Sequence, residues 1–379
     1  MQTEPKPTPT GRLEALDAMR GLTIALMILV NCGLWGAPIY RHLHHATWNG
    51  LTAADLVFPW FVFIMGVGMA YALRRYDYKL SAPAVVKVVR RTVLIFLVGL
   101  ALDYVENGMS GVISGLDFSR LRLMGVLPRL ALSYGIAALA ALALPLRGVR
   151  WAVGLTLGAY AAILLLGRGF EPSVNNIVAR VDLAVLGESH MYHDWVPERI
   201  AFDPEGLLGT IPSVAHVLIG YLCGRMLLRV PGNEGRLWRL MLIGFALAFS
   251  GFLLEPALPV NKKVWSPTFV LTTCGLGAQL LGALIYIVDI KGRRRWLPAA
   301  TVFGVNPLAL YVFSSLLAEA LWQVSIGGDS LPSWVYTRWL LPLFGPDSAM
   351  PSLIWAAGLT AICWAAGYPL WRRKIYIKL

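Results

Sequence analysis

The stretch HLHHATWNGLTAADLVFPWF, residues 42–61, sets three histidines, a tryptophan and an asparagine just ahead of an apolar helix whose first turn holds Asp55. Histidine is the side chain best suited to move a proton near neutral pH. Eleven residues of helix, roughly 16 Å of rise, separate Arg20 from Asn31, an amide near the end of an apolar segment. If the N-terminus is cytoplasmic, Asn31, His45 and the positive end of the following helix converge on the outer side. Together they offer a proton acceptor, an amide donor and an electropositive helix terminus, the parts needed to deprotonate a nucleophile and hold an oxyanion. Each also has a plain alternative. A histidine in an exposed loop is ordinarily solvated, and an amide in hydrocarbon ordinarily bonds a neighbouring helix. Asp55, three residues after Thr52, fits a near-miss of the capping box, and Trp48 fits an interfacial aromatic belt.

The elements that position these residues follow from composition. The chain has 379 residues, 57% of them hydrophobic and 14% charged, with mean hydropathy +0.62. Apolar blocks of the length that crosses ~30 Å of hydrocarbon recur throughout. The expectation is an all-α, polytopic helical membrane protein with ten transmembrane helices, at 21–37, 52–73, 83–104, 122–145, 150–167, 209–228, 238–255, 266–289, 297–321 and 351–371. The net charge of +12 is a topology signal rather than a nucleic-acid surface. With the N-terminus inside, 23 of the 33 Lys and Arg residues fall on the cytoplasmic side and nine outside, and Arg129 lies within a span. This distribution predicts both termini in the cytoplasm. It divides the chain into a tail 1–20, a single membrane domain 21–371 and a tail 372–379. The four cysteines and six histidines show no disulfide or metal spacing.

Other polar residues stand out against this background. The outer segment Gly167–Leu208 holds seven acids, Asp203 and Glu205 among them, against three bases. It reads as an acidic vestibule for a cationic ligand such as an amino sugar, or as a solvated loop. Arg129 inside a span demands a partner or a watery cavity, and Asp103 is the candidate partner. Asn306-Pro307 interrupts the ninth span, where it either lines a cavity or makes a kink. Asn261-Lys262-Lys263 is a rare outer basic cluster that fits interfacial anchoring.

The same residues carry a resemblance. RLEALDAMRGLTIALMILVN and HATWNGLTAADLVFPWFVFIMG resemble the start of the membrane region of the heparan-alpha-glucosaminide N-acetyltransferase family. The likeness continues through LRLMGVLPRLALSY, FDPEGLLGTIPSVAHVLIGY, NKKVWSPTFVLTT and FGVNPLALYV. It implies an enzyme that takes acetyl-CoA from the cytoplasm and acetylates a glucosamine-type amine across the membrane; the lack of ligand spacing among the histidines and outer acids implies no metal. It implies His45 in the HAxWNG motif and Asn31 as the functional pair, and a homodimer. Trp48, Asn49, Asp55, Arg129, Asp203, Glu205, Asn261 and Asn306 are the acceptor-side candidates. Arg74, Arg75, Arg90 and Arg91 are those for the CoA phosphates. Animal members carry a lumenal N-terminal extension that this sequence does not display, so a minimal bacterial form in the inner membrane is expected. An O-acyltransferase of a periplasmic glycan and an amino-sugar transporter are the competing readings.

Overall fold

The computed structural model describes residues 13–34, 36–112, 115, 117–196 and 198–377. Residues 1–12 of the expected N-terminal tail and 378–379 of the C-terminal tail lie outside them. Helices α1 (Glu14–Asn31), α2 (Ala53–Leu73), α3 (Ala82–Met109), α4 (Val126–Ala143) and α5 (Leu146–Leu166) form the first half. A short α6 (Ile177–Leu186) and a hairpin of β1 (His193–Val196) and β2 (Glu198–Ala201) occupy the long segment between α5 and the next long helix. Helices α7 (Thr210–Arg229), α8 (Asn233–Leu254) and α9 (Pro267–Leu284) follow, the last continued by a wide turn to Ile290. Then come α10 (Leu297–Val305) and α11 (Pro307–Gln323), a two-residue ribbon of β3 (Ser325–Ile326) and β4 (Asp329–Ser330), short α12 (Leu331–Val335) and α13 (Leu341–Phe344), and α14 (Met350–Arg372).

Among the described residues seven helices are long and apolar enough to cross a membrane, and eight if the bent pair α10–α11 counts as one span. The chain is thus a multi-pass helical membrane protein. The other long helices, α1 and α3, carry charges along their length: Glu14, Asp17 and Arg20 in one, and Lys87, Arg90, Arg91, Asp103 and Glu106 in the other. The first helix differs from the expected 21–37. It begins at Glu14, because EALDAMR is a run of good helix formers that hydropathy overlooks. It stops at Asn31, where Cys32 and Gly33 lead into an irregular segment.

Small residues let the helices approach closely. A Cβ on Gly66 of α2 would lie 2.1 Å from the Val217 carbonyl of α7, and one on Gly220 would lie 2.2 Å from that of Phe63. Close backbone packing of this kind joins helices where lipid supplies no hydrophobic drive. It anchors α2, whose N-terminus carries the site, against α7.

The ninth expected span is two helices at 86°. Asn306 at the break turns its amide to the C-terminal segment. Its Nδ2 donates to the Ile375 carbonyl (2.9 Å), and its Oδ1 accepts from the Ile377 N–H (2.7 Å). The amide stands in for a strand partner and ties the C-terminal segment to the helix break.

Candidate active site

The loop between α1 and α2 closes on itself through Asp55. Its Oδ2 accepts from the Ala46 N–H (3.0 Å), the Thr52 N–H (3.1 Å) and the Thr52 hydroxyl (3.0 Å). Its Oδ1 lies 2.8 Å from His45 Nδ1. Asp55 is only 1% exposed, whereas His45 is 42% exposed. A carboxylate held at the third residue of a helix complements the helix dipole, and three donors on one oxygen leave it no freedom to turn. His45 is therefore oriented by a rigid group. With Nδ1–H donated to Asp55, the Nε2 lone pair faces the open side. Asp55 takes the Thr52 N–H and sets a carboxylate at the positive end of α2, where an oxyanion was expected to bind.

A second strand of chain completes this group. Gly50, at φ +116°, adopts a conformation that favours glycine. Its N–H donates to the Val260 carbonyl (2.7 Å), while Asn261 Nδ2 donates to Asn49 Oδ1 (3.0 Å). The Trp48-Asn49-Gly50 turn is thereby docked on the turn before α9, and Lys262 Nζ arrives 3.1 Å from His45 Nδ1 and 3.6 Å from Asp55 Oδ1. Lys263 pairs with Asp194 at 2.6 Å. These lysines serve ion pairs, not the interfacial anchoring expected of them. Asn261 is fully buried, and its Oδ1 caps Val264 N–H (3.1 Å). Trp48 is buried edge-on against Phe202 (5.3 Å), and its indole N–H donates to the Phe170 carbonyl (2.7 Å). Trp48 and Asn261 are spent on packing and cannot face a sugar; Asn49 remains exposed.

Asn31 lies in the wall of a cavity of about 800 Å³, with Glu106, Arg122, Tyr192, Ser315 and Trp322 among its other lining residues. His45 is not part of that wall. Arg122 grips Asp203 through Nε (2.9 Å) and Nη2 (2.6 Å), and the same Nη2 donates to Glu205 (2.9 Å). Glu205 also feels Lys262 and Arg129. Burial opposes its ionisation, but Arg122, Arg129 and Lys262 hold it below the usual carboxylate range. Arg122 in the cavity wall thus binds Glu205 directly, and Lys262 beside His45 acts on the same carboxylate as a nearby charge.

The expected acidic vestibule is not a free negative surface. Asp203 and Glu205 are paired with Arg122 and Asp194 with Lys263. Asp182 is buried, its carboxyl pushed up to about 6 by that burial, and it accepts from the Leu208 N–H (2.9 Å). Arg129 is fully buried, but its partner is not Asp103. Its Nη2 donates to the Gly206 carbonyl (2.9 Å), and its guanidinium lies over the Trp265 ring (5.2 Å). Asp103 instead accepts from the Arg122 N–H (3.1 Å) and Asn107 Nδ2 (2.8 Å).

Arg122 and Glu106 are site groups that reading by type and spacing passed over, and Lys262 is one it noticed but gave to interfacial anchoring. The signal for Arg122 and Lys262 was their scarcity, since both belong to the nine basic residues on the side poor in them. Replacing Arg122 with methionine strands two carboxylates. We expect a loss of ~3–5 kcal/mol, the usual cost of removing one member of a buried pair, read as a lowered melting temperature of the purified protein. The basic residues near the other end of α2 and α3 do not line the cavity. Arg91 lies over Tyr134 (4.8 Å) and Arg75 over Tyr76 (4.6 Å), while Arg74 and Arg90 are exposed.

Fold and geometry together define a multi-pass membrane protein with a carboxylate-oriented histidine and a separate polar cavity. Residues 12–251 match the family described as heparan-alpha-glucosaminide N-acetyltransferase, catalytic, and the chain belongs to that family. It is 27% identical over 438 residues to the heparan-alpha-glucosaminide N-acetyltransferase of Mus musculus, an alignment covering 100% of this chain and 62% of that protein. The Homo sapiens protein of the same name is 27% identical over 424 residues, covering 97% of this chain and 60% of its own length. The chain thus spans about three fifths of these relatives.

Proposed function

We propose that this protein is a transmembrane N-acetyltransferase that moves the acetyl group of cytoplasmic acetyl-CoA to the amine of a glucosamine-type sugar on the periplasmic side of a bacterial inner membrane. The observation that carries the reading is the 2.8 Å contact between exposed His45 and buried, immobilised Asp55. In this reading the acceptor binds in the cavity lined by Asn31, which is large enough for a hexosamine and the end of a pantetheine arm. The exposed Arg74 and Arg90 meet the CoA phosphates, as charge-assisted contacts suit them.

His45 Nε2 accepts a proton from the acceptor amine as its nitrogen attacks the thioester carbon. The carbonyl oxygen takes the negative charge and the Asn31 amide donates to it. The C–S bond then breaks, and the thiolate recovers a proton from the imidazolium. Family membership supports the N-acetyl chemistry, and the reading takes the cavity and His45 as parts of one site.

The test is to incubate purified protein with labelled acetyl-CoA and glucosamine. N-acetylglucosamine is the expected product. An ester would favour O-acyl transfer, and no transfer would favour transport. Asn31→Ala should lower kcat ~10²–10³-fold, the loss seen for an oxyanion donor, with substrate KM values changed far less. A lowered melting temperature with normal turnover would make Asn31 a helix-packing residue instead.

A further inference from the structure

His45 faces opposite charges at one atom. Asp55 Oδ1 is 2.8 Å from Nδ1, and Lys262 Nζ is 3.1 Å from the same nitrogen. Acting alone, a buried carboxylate at that distance favours a second proton on the ring, since imidazolium and carboxylate form an ion pair. Imidazolium has no lone pair with which to take a proton from an amine. An ammonium 3.6 Å from Oδ1 opposes that pull. Asp55 Oδ2 is saturated by three donors, so Oδ1 is the oxygen that His45 and Lys262 must share.

We propose that Lys262 is a positioning residue that keeps the second proton off His45 and so maintains it as a neutral base. This rests on the reading of His45 as the base. Asp55 supplies the directional bond that orients the ring, and Lys262 cancels the charge that would otherwise spoil it. The surrounding groups fit the arrangement. Glu205 reaches Lys262 from the segment before α7, Lys263 beside it is taken up by Asp194, and His44 is turned to the His45 carbonyl (2.8 Å). Burial lowers the affinity of Lys262 for its own proton, with Asp55 and Glu205 opposing. A second proton adds to an imidazole as pH falls, the range in which an ammonium keeps its charge. The effect therefore belongs to the acidic limb of the pH profile.

The experiment compares kcat/KM against pH for wild type, Lys262→Met, Lys262→Gln and Lys262→Arg. It is paired with the rate at which diethyl pyrocarbonate, which modifies imidazole only in its neutral form, labels His45, resolved from His42 and His44 by fragmentation in mass spectra. In Lys262→Met and Lys262→Gln the acidic limb and the labelling midpoint should both move up by about one pH unit or more, a tenfold change in proton affinity. Lys262→Arg should return both towards wild type, because it restores the positive charge. A Met or Gln variant whose limb and midpoint coincide with wild type overturns the proposal, as does an Arg variant that shifts as far as Met. Failure of all three variants to fold would make Lys262 structural, which also overturns it. His45→Ala separates the layers. An active His45→Ala protein removes the parent reading, whereas an inactive one with an unmoved Lys262→Met limb removes only this inference.

Discussion

His45→Ala abolishes acetyl transfer while leaving the fold and acetyl-CoA binding in place; that is the largest single effect expected. The ring's hydrogen-bond partners among the described residues are Asp55 and Lys262, and its side chain is 42% exposed, so its removal opens no core cavity. What is lost in the proposed mechanism is the proton acceptor, and general-base catalysis typically contributes ~10²–10⁴-fold. Turnover with saturating acetyl-CoA and glucosamine measures this, alongside the melting temperature and the acetyl-CoA dissociation constant. Retention of more than about a tenth of wild-type kcat is incompatible with a base contributing on that scale. His42→Ala and His44→Ala provide the contrast. Both are exposed, neither touches Asp55, and turnover should stay close to wild type.

Asp55→Asn should be nearly as damaging, for a reason that an alanine substitution would obscure. The oxygen that accepts from Ala46, Thr52 N–H and the Thr52 hydroxyl fixes which way round an asparagine must sit. Its amide oxygen takes that position, and its NH₂ then replaces Oδ1 beside His45 Nδ1. A donor there forces Nδ1 to accept, which moves the ring proton to Nε2 and leaves no lone pair facing the acceptor amine. The same substitution in a Ser-His-Asp triad, where the tautomer is likewise inverted, costs about 10⁴ in kcat, and a loss of ~10³–10⁴ is expected here. The size and shape of the side chain are preserved, so the melting temperature should fall far less than turnover. Turnover within tenfold of wild type would mean that Asp55 serves α2 as a cap and nothing more.

Much of this was open to inspection in the residues themselves. The bilayer demands that every backbone group be satisfied within a helix, and that constraint writes itself into apolar runs of the right length. The capping relation between Thr52 and Asp55 is a spacing of three, and the positions of His45 and Asn31 beside helix ends follow from those runs. Even so, a hydropathy window misjudged α1. The window counts apolar side chains, whereas the helix begins with charged residues of high propensity and ends at a polar amide.

The partners of the polar groups were decided by tertiary structure alone. Lys262 meets His45 across 217 residues, Arg122 meets Asp203 across 81, and Asn306 meets Ile375 across 69. Helical periodicity and capping are local rules and end within a turn or two. Which loop folds over which helix end depends on the close packing of α2 on α7 and on the docking of Gly50 against Val260. Arg129 illustrates the difference. Its residue type and depth announce that a partner is needed, yet the Gly206 carbonyl and the Trp265 ring come from segments brought near only when the outer loops close. A charge in a span states what must be satisfied. Only the assembled bundle determines what satisfies it, because in a low-dielectric interior the answer depends on distances of a few ångströms between residues far apart in the chain.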